Sequence, residues 1–182
     1  NNGGIYIKVG QFVASLQGGA GEAGVPREYV DALRPLTDKV PPRPFAEVSP
    51  MAESELGKPL SELLQTIEEY PVAAASLAQV HSGYMAPKGD GDEAPLKVAV
   101  KMQYPTLQEQ LGQDMMTLKM MAGAVAAQGY DFAWLIDDIE KYVTSELDFM
   151  REAHNARTAA EALSGLAPSV LVPAVVASMT TR

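Results

Sequence analysis

Apolar residues recur at helical spacing near the start of the chain, at Ile5, Val9, Phe12 and Leu16, and this stripe predicts an amphipathic helix. Lys8, Gln11 and Ser15 run beside it as a polar stripe. Regularity is lost from Gly18 to Pro26, which reads as a loop. It is lost again from Val40 to Pro50, where four prolines exclude one continuous helix. Short helices are expected around Arg27 to Leu36 and around Pro59 to Glu69, with Ser61 near the start of the second. The period then changes. Leu77 to Met85 and Leu96 to Gln103 read as two strands of an antiparallel hairpin, joined by the Gly/Asp-rich turn Ala86 to Pro95. Val98, Val100 and Met102 share one face of the second strand, and Ala99, Lys101 and Gln103 the other. After Pro105 the helical stripe Leu107, Leu111, Met115, Leu118, Ala122 and Val125 runs to a stop at Gly129. Asp131 caps a further helix, read as continuous through Leu135, Ile139, Val143 and Met150 towards Leu163. Val170 to Ser178 predicts a last strand, with Pro173 at its start or edge. The order is α+β, with a small antiparallel sheet.

Length and composition narrow the chemistry. At 182 residues the chain is one domain, or one compact domain with an extension. It has 23 acidic against 14 basic residues, with no Lys/Arg cluster, which argues against nucleic acid as a partner. Without cysteine there is no disulfide, thiolate nucleophile or Cys-ligated metal. His81 and His154 stand too far apart for a histidine-rich metal site, and each is read as a packing or hydrogen-bonding residue. Asp90-Gly91-Asp92-Glu93 lacks the spacing of a calcium loop and reads as a solvated connection. Trp134 is expected as an interhelical core anchor. For Met115, Met116, Met120 and Met121, helix–helix core is favoured over an adaptable lipid-facing surface. The longest uncharged apolar stretch, Val170 to Ala177, is too short to cross a bilayer. A start at Asn1 suggests a processed or trimmed fragment.

The strand Val98-Ala99-Val100-Lys101 carries the sharpest chemical signal. A strand lysine is most simply a solvated one, but the pattern resembles the V-A-I-K element of protein kinases, whose lysine contacts nucleotide phosphates. One hairpin upstream, where a kinase has a glycine-rich loop, stands Pro71-Val72-Ala73-Ala74-Ala75-Ser76. Alanine allows close backbone approach but not the positive φ open to glycine, so the run equally describes a packed turn. The carboxylate expected to hold such a lysine is also open from the residues alone, with Glu109 and Asp114 on the following helix as candidates.

Four features combine: Lys8-Val9-Gly10-Gln11, Ala73-Ala74-Ala75-Ser76 followed by Gln79-Val80-His81, Val98-Ala99-Val100-Lys101, and Glu146-Leu147-Asp148. Together they resemble the UbiB family of atypical kinases, the aarF-domain-containing proteins, from Gly4 to about Val176. The connecting segments Pro26 to Val30, Leu36 to Pro42 and Glu55 to Pro59 fit that family too. The resemblance implies a protein-kinase-like small lobe over 71–182, preceded by a helical extension over 1–70. It implies that Ala73, Ala74, Ala75, Ser76 and Lys101 bind an adenine nucleotide, ATP or ADP with Mg²⁺, and that Glu152 orients Lys101. Lys8, Gly10 and Gln11 of the K-x-G-Q motif, with Glu146 and Asp148 of the E-x-D motif, would gate the cleft. Lys8 and Gln11, three apart, could point at one target. On one continuous helix, Glu146 and Glu152 would lie on different faces.

The implied activity is ATP hydrolysis or phosphoryl transfer supporting ubiquinone, prenylquinone or related lipid metabolism. An isoprenoid or quinone lipid, a membrane surface and the protein's own large lobe would be the other partners. The expected setting is mitochondrial, with plastid or bacterial inner membrane as alternatives. No catalytic-loop Asp and Asn or Asp-Phe-Gly-type metal ligand is found in these residues, so the isolated chain is not expected to be a competent enzyme. The alternative is a non-catalytic, pseudokinase-like module that binds protein or membrane through its helices.

Overall fold

A computed structural model describes residues 4–15, 27–38, 40–86, 94–126, 133–166 and 169–181. The predicted loop over 18–26, most of the hairpin turn, Gly129 and Asp131 lie outside them. Helix α1 (Ile5–Ser15) is followed by α2 (Arg27–Leu33), α3 (Pro35–Asp38), α4 (Phe45–Leu56) and α5 (Leu60–Leu63). Four strands come next: β1 (Thr66–Ile67), β2 (Ala73–Ala74), β3 (Ala78–Met85) and β4 (Leu96–Gln103). Helices α6 (Leu107–Ala126), α7 (Ala133–Glu146) and α8 (Phe149–Leu163) complete the regular structure, with a 3₁₀ turn at Ala177–Met179.

The sheet is antiparallel and centred on β3. One edge of β3 pairs with β1 (Thr66↔Tyr84) and β2 (Ala73↔Val80), while the other pairs with β4 from Ala78↔Gln103 to Met85↔Leu96. The core lies where Val48 of α4, Met102 of β4, Met115 of α6 and Val143 of α7 converge, all nearly inaccessible. Each comes from an apolar stripe at helical or alternating spacing, so burial follows the sequence pattern.

β3 is unusually polar for a central strand; its buried Gln79 and His81 are satisfied, whereas the buried Ser82 hydroxyl finds no hydrogen-bond partner among the described residues. Gln79 accepts a hydrogen bond from the Arg43 amide at 2.9 Å and donates to the Arg43 carbonyl at 3.1 Å. Its Nε2 also lies 2.9 Å from His81 Nε2, and His81 Nδ1 lies 2.8 Å from the Glu68 carbonyl. A carbonyl can only accept, so His81 carries its proton on Nδ1 and accepts at Nε2. Phe45 packs edge-on against the imidazole, 5.2 Å between centroids. This network ties the proline-rich approach to α4 onto the sheet.

Several elements differ from the sequence expectation. The proline-rich stretch is not one continuous helix, as expected, but α4 begins inside it: Pro41, Pro42 and Pro44 precede the helix, and only Pro50 falls inside. The stripe Val48, Ala52, Leu56 buries enough surface to carry one missing amide, and Gly57, at φ 67°, ends the helix. The helix expected around 59–69 is a single turn, because the chain then joins the sheet as β1. Residues 170–176 form no strand. Pro173 lacks an amide hydrogen, the segment finds no ladder partner among the described residues, and the chain closes into the 3₁₀ turn. Trp134 is 62% exposed and is no core anchor, and of the four methionines on α6 only Met115 is buried. Their positions fall outside the stripe that α6 presents to its neighbours.

Candidate functional site

The register of the sheet builds the site. Ala73 lies opposite Val80, and Val80 opposite Lys101, so one row crosses β2, β3 and β4. Directly opposed residues on antiparallel strands point to the same face, and two strand spacings set Ala73 about 10 Å from Lys101. The β2–β3 turn is tight, with the Ala75 amide donating to the Ala78 carbonyl at 2.9 Å. Thr106 is the one non-glycine residue with positive φ among those described, so the alanine turn needs no glycine-only geometry. Ala73 and Ala75 are exposed, Ala74 is half-buried, and Ser76 is buried inside the turn.

Lys101 projects from β4 towards α8. Its Nζ lies 2.5 Å from Glu152 Oε2 and 4.7 Å from the centre of the Phe149 ring. A carboxylate and the negative face of a ring thus aim the ammonium. The Lys101 and Glu152 side chains stay 40% and 57% exposed, so the ammonium can reach a ligand without losing its anchor. Both line a groove of about 700 Å³ between α4, β4, α8 and the terminal segment, whose walls include Met51, Val98, Phe149 and Val175. That volume is ordinary for a small-molecule site. The alanine turn, Lys8, Gln11, Glu146 and Asp148 lie outside its walls.

The E-x-D residues occupy a helix break. The Leu147 amide makes the last bond of α7, to the Val143 carbonyl at 3.0 Å. Asp148 then leaves helical geometry (φ −94°, ψ 90°) and caps α8, its Oδ1 accepting from the Arg151 amide at 3.0 Å. The single helix expected here is therefore two, and Glu146 and Glu152 diverge because they sit on opposite sides of that break. Glu146 Oε1 meets Lys8 Nζ of α1 at 2.6 Å, with side chains 24% and 39% exposed for Lys8 and Glu146. Asp148 is a cap and makes no pair with Lys8.

Lys8 and Gln11 do not share a target. Gln11 donates to the Leu36 carbonyl of α3 at 2.8 Å. Gly10 lets α3 approach, since a Cβ there would stand 2.6 Å from Leu36 Cδ1. Of the carboxylates considered for Lys101, Glu109 is exposed on α6 and Asp114 faces Tyr6. Partial burial, together with the Asp114 carboxylate, raises the Tyr6 phenol above its ordinary pKa. Among the described residues no group of three His, Asp or Glu side chains is placed to hold a metal ion.

Two contacts at the site escaped the sequence reading. Phe149 under Lys101 is one. The other is Gln103, buried at the end of β4, which donates to the Leu147 carbonyl at 2.5 Å. The alternation of β4 already placed Gln103 on the face of Lys101, but no pattern in sequence joins it to residue 147.

Residues 35–182 match the ABC1 atypical kinase-like domain. The chain belongs to the ABC1 atypical kinase-like family. Among curated ABC1 proteins, AarF domain-containing protein kinase 1 of Xenopus laevis is 34% identical over the whole chain, which covers 33% of that relative. The ABC1 family protein MCP2 of Saccharomyces cerevisiae is 34% identical over 86% of the chain, which covers 26% of it. A solved Mycobacterium tuberculosis protein, Rv3197 in complex with erythromycin, superposes with a TM-score of 0.59 at 34% identity. That match covers 98% of this chain and 43% of Rv3197. The chain thus spans about a third or less of the curated ABC1 relatives named here. The α+β fold with its small antiparallel sheet agrees with both family and structural neighbour.

Proposed function

We propose that this chain forms the nucleotide-gripping part of an atypical kinase or ATPase. The observation that carries the reading is Lys101, projecting from β4 into the groove and held by Glu152 and Phe149. A lysine aimed by an anion yet still open to solvent is a ready partner for phosphate oxygens. Ala73, which leads into the alanine turn, lies in the same cross-strand row, and the turn would close over the phosphates by backbone approach. The Lys8–Glu146 pair, which fastens α1 to the helix break, would control access. Within this proposal the substrate is a small or lipid-like molecule of prenylquinone or related metabolism, and the setting is mitochondrial. A membrane surface is a further partner. No helix among the described residues is long and apolar enough to cross a membrane.

The test is thermal stabilisation of the whole protein by ADP or ATP with Mg²⁺, compared with Lys101→Met. A ligand present at one hundred times its Kd stabilises the folded state by about 2.7 kcal/mol. The wild type should show an upward shift that Lys101→Met loses. No shift in the wild type at saturating nucleotide would favour the non-catalytic binding module. An equal shift in both proteins would remove Lys101 from the site.

A further inference from the structure

The break between α7 and α8 frees backbone groups on both sides, among them the Arg151 amide and the Leu147 carbonyl. In a continuous helix the Arg151 amide would donate to the Leu147 carbonyl, four residues back. Here the Arg151 amide donates to Asp148 Oδ1 at 3.0 Å, leaving the Leu147 carbonyl without that partner. The group that takes it is the Gln103 side chain, whose Nε2 donates to Leu147 O at 2.5 Å. Gln103 is buried, and its Oε1 accepts from Gln108 Nε2 of α6 at 3.3 Å, so both ends of the carboxamide are used. Gln103 also stands two residues beyond Lys101 on the same face of β4. One side chain thus fixes the E-x-D junction to the strand that carries Lys101.

We propose that Gln103 is a positioning residue that couples the two ion pairs of the site. Glu146, one residue before Leu147, holds Lys8, and Glu152, five residues after it, holds Lys101. With Leu147 pinned to β4, the junction cannot swing without moving both carboxylates. Release of Glu152 from Lys101 is therefore transmitted to the Lys8–Glu146 latch on α1. The inference depends on the functional reading only for the task given to Lys101, because the coupling is a property of the chain itself.

The experiment is trace acetylation of lysines in the whole protein with acetic anhydride, read by mass spectrometry. Lys8 is the reporter. Lys119, bound to Glu140 at 2.7 Å and Asp137 at 3.3 Å, is the internal control. Gln103→Met, of similar length but without a carboxamide, should raise Lys8 labelling about fivefold, the change expected from the lost hydrogen bond to Leu147, and leave Lys119 unchanged. Glu152→Gln should raise Lys8 labelling about twofold in the presence of Gln103 and add nothing in Gln103→Met. Unchanged Lys8 labelling in Gln103→Met, or an equal Glu152→Gln effect in both backgrounds, overturns the proposal. A merely structural residue would lower stability and leave that cross-talk intact.

If Lys119 labelling rises in step, the substitution has loosened the whole fold and Gln103→Asn decides. It keeps the amide but is one methylene short of Leu147, so a selective rise at Lys8 supports the coupling and a flat response refutes it. Nucleotide affinity is measured separately on the same proteins. Coupled labelling without nucleotide binding would end the functional reading and leave the role of Gln103 standing.

Discussion

Breaking the Lys8–Glu146 contact asks whether α1 is latched to the helix break or rests there by its apolar face alone. The variants are Lys8→Met, Glu146→Gln and the double substitution, closing a thermodynamic cycle. The charges approach to 2.6 Å, with side chains 24% and 39% exposed. At that separation Coulomb's law gives about 1.6 kcal/mol in bulk water and about 6 kcal/mol at an effective dielectric of 20. Desolvation and the freezing of two long side chains offset most of the larger figure. Exposed pairs retain about 0.2–1 kcal/mol, whereas removing one member of a fully buried pair costs about 3–5 kcal/mol. A pair with this intermediate burial should couple by about 1–1.5 kcal/mol, or about 2–6 °C in Tm for a domain of this size. The Lys101–Glu152 pair is shorter at 2.5 Å but 40% and 57% exposed, so its coupling should stay below about 0.5 kcal/mol. Thermal unfolding of both cycles at low and high salt is the assay. Salt should erase the Lys101–Glu152 term and spare most of the Lys8–Glu146 term. A Lys8–Glu146 coupling no larger than the other would refute the reasoning. Burial would then not rank the pairs, and Ile5, Val9 and Phe12 would hold α1 unaided.

Two other substitutions test the surroundings. Asp148→Ala removes the cap on the Arg151 amide and should cost about 1 kcal/mol, while Asp148→Asn retains most of it. Equal destabilisation of the two in thermal unfolding would mean that the carboxylate does something other than cap. The Tyr104 hydroxyl is buried and finds no hydrogen-bond partner among the described residues, although Arg43 lies 4.8 Å over the ring. Burial raises its pKa above the ordinary 10.0, opposed by the Arg43 charge. A phenol whose pKa is raised on folding contributes stability that is complete below the unfolded value and lost as pH climbs through and beyond 10.0. Tyr104→Phe should therefore be neutral, or stabilising by about 1 kcal/mol, at pH 7, with a shallower loss of stability above pH 10. A steeper alkaline loss in unfolding experiments would contradict this account; Tyr6, also raised, continues to contribute in both proteins.

How far the sequence was legible depends on the range of the interaction involved. The β3–β4 hairpin and the stripes of α1 and α6 are local periodicities, and they appear as read. Lys101 stood out because four consecutive residues made a recognisable strand. Its partner could not be chosen from spacing alone, because the nearby Asp114 is turned to Tyr6 while Glu152 arrives from 51 residues away. The break at Leu147–Asp148 was illegible because the apolar stripe runs on through it. What stops the helix is a capping carboxylate and a distant carboxamide, neither of which disturbs periodicity. Proline counting rightly excluded one helix over 40–50 but did not show that α4 starts at Phe45: three of the four prolines precede the helix, and tertiary burial carries the fourth.

The row Ala73–Val80–Lys101 has a consequence for how such chains can change length over time. Met85 and Leu96 face each other at the connected end of the hairpin, so residues added between them leave the row untouched. One residue added to β3 between Val80 and Met85 is different. Unless a bulge absorbs it, everything on the alanine-turn side of the insertion rotates to the opposite face from Lys101. Lineages should therefore vary freely in the connection and keep a constant residue count along β3. Deep insertion scanning would show that asymmetry directly, as tolerated additions crowded into the connection and a gap across the strand.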